Sequence, residues 1–199
     1  MTRTIDYYFD FPSPYAYLAH TQLPRIAAEH GATITSHPFR ILELMKIVGN
    51  RPTTIECKSK NVYAGADLQR WSRRYKVDFA RNPNSKSFDF AELDRAALVA
   101  IEDGRGAEYV TAISTAIWGR PADLSQRSVL IDVLAKAGLD GAGLLQRAST
   151  ADVAARHETA TQAAAERGVF GAPTIFVGDQ MFFGNDRLDF VAEALRSTI

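Results

Sequence analysis

The stretch TIDYYFDFPSPYAYL (residues 4–18) decides the fold. Ile5, Tyr7, Phe9 and Phe11 alternate with Thr4, Asp6, Tyr8 and Asp10, the period of two that puts one set of side chains on the core face of a strand. Pro12-Ser13-Pro14 stops the alternation. Ser13 can cap a helix and Pro14 suits its first position, so the pattern predicts a helix from Pro14 to about His30, closed by Gly31. Thr33 to Phe39 then reads as a second strand, with Pro38 at an edge or a strand end.

The far end of the chain returns to strands. GAPTIFVG (171–178) and MFFG (181–184) read as two strands joined by a tight turn at Asp179-Gln180, and Asn185-Asp186 can cap a last helix from Arg187 to Arg196. The middle is different. AELDRAALVAI (91–101), AEYVTAISTAIW (107–118) and SVLIDVLAKAG (128–138) carry apolar residues three and four apart, and Gly104, Gly138 and Gly168 stand where helices stop. A further helix starts near Ser149 or Thr150, with Asp152 in its first turn. Residues 50–62 and 80–88, rich in Asn, Pro, Ser and Lys, read as loops. The element order is therefore βαβ, a helical block, then αββα: an α/β fold whose two ends share one sheet, with the middle as an insertion.

Composition narrows the function. The 199 residues hold 23 basic and 23 acidic side chains, which gives no general attraction to nucleic acid or to an anionic membrane. Apolar residues make up 46% of the chain, enough to build a core. No uncharged apolar run approaches the ~18 residues that span a bilayer, and Asp6, Asp10, Pro12 and Pro14 interrupt any leader-like stretch. The single cysteine, Cys57, excludes an internal disulfide and any Cys-x-x-Cys site; it reads as an ordinary free thiol in a loop, and a cytoplasmic location is expected. His20, His30, His37 and His157 lack metal-binding spacing, so no metal is expected.

Three places could carry chemistry. Ser13 is by its pattern a helix cap, but it lies where a strand end feeds a helix start, the position at which α/β sheets build ligand crevices. A helix start also offers free N–H groups and a positive dipole end to an anion such as a thiolate. Ala172-Pro173 opens a strand, where a trans bond is the ordinary state. Asn185-Asp186 reads as a cap that could also offer a carboxylate to a ligand ammonium.

FDFPSPYAYL (9–18), GVFGAPTIFVG (168–178) and FFGNDRL (182–188), with GN at 49–50 and DLQRW at 67–71, resemble the 2-hydroxychromene-2-carboxylate isomerase family. Its relatives are the kappa-class glutathione transferases and the disulfide oxidoreductases with a helical insertion. The resemblance covers essentially the whole chain. It implies a thioredoxin-like fold, formed by residues 1–41 and 169–199 with part of 150–168, and a large all-helical insertion over 42–150. It also implies glutathione as cofactor, bound where the two parts meet. Pro173 would be the cis proline of that fold, and the backbone of Ala172 would pair with the cysteinyl unit. Ser13, standing where the redox relatives have their first cysteine, would hydrogen-bond the sulfur. Phe183, Gly184, Asn185 and Asp186 would form the γ-glutamyl end of the site. Lys46, Asn50, Lys58 and Asn84 are the matches to positions that contact the aromatic acid substrate, with Lys60 as an alternative to Lys58. A homodimer is the family expectation.

The implied reaction interconverts 2-hydroxychromene-2-carboxylate and trans-o-hydroxybenzylidenepyruvate, a step of aromatic hydrocarbon breakdown. A carbon–carbon double bond cannot rotate unless its bond order falls, and reversible thiolate addition lowers it. Two other readings remain: a kappa-like transferase or peroxidase acting on another electrophile through Ser13, and a redox-dead thioredoxin-like module that binds peptide. Dithiol redox chemistry is excluded, because Ser13 has no sulfur and Ala16 stands where a resolving cysteine would be.

Overall fold

The computed structural model describes residues 3–197. Strand β1 (Arg3–Phe9) runs beside β2 (Ala32–Pro38) in parallel, and the helix between them, α1 (Pro14–His30), makes the crossover. Ser13 caps α1 by accepting the Ala16 N–H, and Gly31 at φ 60° closes it in the left-handed conformation that glycine favours. Pro38 is the last residue of an edge strand, where its missing N–H costs no ladder bond.

Eight α-helices separate β2 from the next strand, the first seven being α2 (Ile41–Ile47), α3 (Thr53–Glu56), α4 (Lys58–Tyr75), α5 (Phe90–Glu102), α6 (Gly106–Ser114), α7 (Arg127–Lys136) and α8 (Gly141–Ala148). The eighth is α9 (Ala151–Glu166), capped by Thr150. Strands β3 (Thr174–Val177) and β4 (Gln180–Phe183) then add antiparallel to the sheet, giving the order β2-β1-β3-β4, and α10 (Leu188–Ser197) ends the described chain.

Three expectations need correction. The segment 50–62 is not a loop: α3 and the first turn of α4 occupy most of it. Lysine and asparagine hid a helix whose buried stripe is only Ala64, Leu68 and Ser72, at steps of four, and lysine is a good helix former. The β3–β4 turn is Gly178-Asp179, one residue earlier than read, because Gly178 takes φ 59°, the positive angle that two-residue hairpins require. Tyr8, read as outward-facing, is buried: His37 stacks on its ring at 4.5 Å, and Arg167, just beyond α9, lies over it and bonds its hydroxyl. The sheet is thus covered on both faces, with α1 over Tyr7, whose hydroxyl donates to Ala16 O at 2.8 Å.

The helical segment and the sheet share one continuous core. Phe9, Phe11 and Phe39 from the sheet side join Leu93, Tyr109 and Ile113 from the helices in a single buried cluster, with the Phe11 and Tyr109 rings edge to face. Such continuity holds the end of β1 in a fixed position against α5 and α6. Among the described residues, no helix is long and apolar enough to cross a membrane.

Candidate functional site

The end of β1, the start of α1, the turn before β3 and the turn after β4 meet along one wall of a cleft of about 1000 Å³. Helices α2 to α5 and their connections form the opposite wall. Ser13 is buried there. Its Oγ accepts the Ala16 N–H at 3.2 Å and donates to Ala172 O at 3.1 Å, joining the helix start to the Ala172–Pro173 peptide, which is cis. Behind it, Ser13 N–H donates to Asp10 O, and Trp118 Nε1 donates to Phe11 O at 2.8 Å. Trp118 belongs to a π-helical turn, Thr115–Gly119, continuing α6, and it stacks on Phe79. The loop carrying Ser13 is therefore fixed from the sheet side and from the helices.

The turn after β4 is built as tightly. Gly184 sits at φ 100°, and a Cβ there would lie 2.4 Å from Asp186 Oδ1, so the turn admits glycine alone without strain. Gly171 is needed for a different reason: a Cβ would meet the Phe183 ring at 2.9 Å. Gly184 N–H donates to Pro173 O at 3.0 Å, tying this turn to the cis peptide. Asn185 is buried, its carbonyl accepts the Tyr75 hydroxyl at 2.5 Å, and its Nδ2 has no partner among the described residues. A buried amide donor left free on the wall of a cleft costs about 1–3 kcal/mol unless a ligand accepts from it. Asp186 is half-exposed beside it and pairs with Arg187.

Seven sequence-predicted residues thus come together on one wall: Ser13, Ala172, Pro173, Phe183, Gly184, Asn185 and Asp186. The four predicted in the insertion do not line the cleft. Lys46 points to solvent and pairs with Glu43 at 3.1 Å; Asn50 spends its amide on Phe170 O and Arg51 N–H; Lys58 and Asn84 are exposed. The alternative, Lys60, is exposed as well. Positive charge does reach the cleft from Arg40, Arg81 and Lys86. Among the described residues, Arg81 and Lys86 have no carboxylate within ion-pair distance, whereas Arg40 lies 3.6 Å from Glu43.

A family model for the DSBA-like thioredoxin domain matches residues 4–196. The 2-hydroxychromene-2-carboxylate isomerase of Sphingobium xenophagum is 38% identical over 196 residues, covering 98% of this chain and 99% of its own. The chain belongs to the 2-hydroxychromene-2-carboxylate isomerase family. A solved structure of such an isomerase superposes with a TM-score of 0.87 at 32% identity, over 97% of this chain and 94% of that one. Human glutathione S-transferase kappa 1 is more distant, 26% identical over 98% of this chain and 92% of its own.

Several residues that support or line the cleft stand in no recognisable motif. Tyr75 and Trp118 support the site from helices far along the chain, and nothing in their local sequence marks that role. Asp94 did carry a signal: it is a carboxyl on the buried side of α5, beside Leu93, Ala96 and Ala97. A charge in an apolar stripe is rarely idle. Asp10, read only as a strand residue, faces the same cleft.

Proposed function

We propose that this protein is a glutathione-dependent isomerase acting on a hydroxychromene carboxylate or a close aromatic analogue. The observation that carries this is the wall itself: a capping serine hydroxyl, a cis X–Pro peptide and an unpartnered buried Asn185 amide converge on one cleft. The donor set fits glutathione. Asn185 Nδ2 and the Asp186 carboxylate suit the carboxylate and ammonium of a γ-glutamyl group, and the Ala172 carbonyl suits a cysteinyl N–H. The named relatives support the substrate class, since this chain spans nearly their whole length. The kappa-class relative supports the thiol.

When bound, glutathione would supply a thiolate able to add reversibly to the conjugated carbon and so free the double bond to rotate. The protein's part is electrostatic. Ser13 now gives its proton to Ala172 O; once a ligand N–H takes over that carbonyl, the hydroxyl is free to donate to a sulfur anion. The start of α1 adds its dipole at the same point, and both effects favour thiolate over thiol. Tyr15, also on the wall, is a neutral phenol at working pH: burial and the Asp67 carboxylate push it up to about 12. We assign the acid end of the substrate to Arg81 and Lys86, the cleft cations without a carboxylate partner, in preference to Lys46, Asn50, Lys58 and Asn84.

Calorimetric titration with glutathione tests the cofactor site. Wild type is expected to bind in the micromolar-to-millimolar range, and Asp186→Ala to bind about tenfold more weakly, the size of one lost charge-assisted hydrogen bond of roughly 1.5 kcal/mol. No heat of binding from folded wild type would rule out glutathione as the cofactor and leave the peptide-binding module as the better reading.

A further inference from the structure

The loop leaving β1 and the middle of α5 each place a carboxyl on the wall of the cleft: Asp10, 4% exposed, and Asp94, 1% exposed. The two lie within hydrogen-bonding reach of each other, and among the described residues no well-aligned N–H or hydroxyl donor satisfies the Oδ1 of either. Asp10 Oδ2 accepts the Ile41 N–H at 2.7 Å. Two carboxylates in contact and out of water cannot both be ionised, so a proton resides in the pair.

The groups around the pair set its charge. Arg40, at the start of α2, is the cation that faces both, and it is shared with Glu43. The backbone N–H of Phe11 faces both carboxyls. From α6, Tyr109 approaches Asp94, with its hydroxyl donated to Leu93 O. From α9, His157 is neutral near Arg40: burial, then Arg40 and Arg95, push it down to about 4. One negative charge on the pair is balanced and a second is not.

We propose that Asp10 is a general acid–base of this cleft and Asp94 its positioning residue, and that together they open the hemiketal ring of a cyclic hydroxy acid. The proposal rests on the isomerase reading, whose substrate must open before its double bond can turn. Asp10 as carboxylate removes the proton of the hemiketal hydroxyl. That O–H pair becomes the carbonyl π bond, the ring C–O bond breaks with its electrons on the phenolic oxygen, and the same proton passes from Asp10 to that oxygen. Atoms and charge balance, and no thiol takes part. Burial pushes Asp10 up to about 7, against the lowering donors Ile41, Asp94 and Arg40, which suits proton transfer near neutrality. Asp94 is pushed higher by burial and by Asp10, so it keeps its proton and donates it to Asp10.

The test follows hemiketal opening by absorbance in the absence of any thiol, beside carbon-13 NMR of carboxyl-labelled aspartates. Wild type is expected to accelerate opening with a rate that rises through about pH 7, and to show two aspartate carboxyls titrating far above the rest. Asp10→Asn keeps an acceptor for Ile41 and should slow opening by about a hundredfold. Asp94→Leu should move the pH midpoint upward by about a unit, because Asp10 stays buried but loses a donor. Asp10→Asn protein that opens the ring at the wild-type rate, or aspartates that all titrate near 4, would overturn the proposal. If wild type opens the ring yet neither binds glutathione nor isomerises, the isomerase reading fails and the Asp10 assignment stands. If it isomerises and Asp10→Asn changes nothing, only the Asp10 assignment fails.

Discussion

Ser13→Ala is expected to lower glutathione-dependent isomerisation by about a hundredfold while leaving the protein folded. One preorganised donor to a developing or resident anion typically supplies a factor of 10² to 10³, or about 3 kcal/mol. Ser13 is the side-chain donor that joins the α1 start to the Ala172–Pro173 peptide, and its loss also raises the thiol pKa of a bound ligand. The stability cost is smaller. A capping serine replaced by alanine forfeits about 1 kcal/mol, and Ala172 O loses a hydrogen bond that glutathione can replace. The signature is therefore a large fall in turnover with a slight fall in melting temperature, and a pH–rate profile whose thiol limb moves upward. Full turnover at neutral pH in Ser13→Ala would show that the serine plays no part in ionising the thiol.

The second large effect concerns the pH dependence of stability. The folded protein holds Asp10 and Asp94 above the ordinary carboxylate range because burial disfavours their charged forms. The unfolded chain releases those protons near pH 4, and the folded chain does not. Stability from this source is complete below pH 4 and is lost as pH rises toward and through 7. Each group contributes a slope of up to about 1.4 kcal/mol per pH unit across that window. Asp6 acts in the opposite sense: although burial raises it, the His37 and Arg167 contacts hold it low overall, so its contribution is lost on acidification. Asp94→Leu removes one of the two rising acids and should flatten the decline between pH 4 and 7 by about 1 kcal/mol per unit, measured by urea unfolding across that range. Parallel curves for wild type and variant would mean that Asp94 ionises normally.

The sheet was legible because its signals are local. Alternating Ile5, Tyr7 and Phe9, the Ser13-Pro14 start and the Gly31 stop each follow from the steric and hydrogen-bonding properties of a few neighbouring residues. The α4 start was not, since a helix with a narrow buried stripe and charged flanks looks like loop composition. Tyr8 was misread because alternation tells two faces apart without saying what covers the second; Arg167 does so from 159 residues away. The same limit applies to the site. The residues near the sheet, from Ser13 to Asp186, stand in short motifs that carry the family resemblance. The opposite wall comes from helices whose approach depends on the whole core, so Arg81, Lys86 and Trp118 line the cleft with no motif to mark them, while Lys46 and Lys58 do not line it.

Glutathione-dependent isomerisation of a hydroxychromene carboxylate in this cleft is the reaction proposed. Its most direct test is the absorbance change on converting 2-hydroxychromene-2-carboxylate to trans-o-hydroxybenzylidenepyruvate, with glutathione present and absent. Rapid conversion that needs glutathione, saturates with it and leaves it unconsumed is expected. Conversion at the uncatalysed rate by folded protein saturated with glutathione would contradict it.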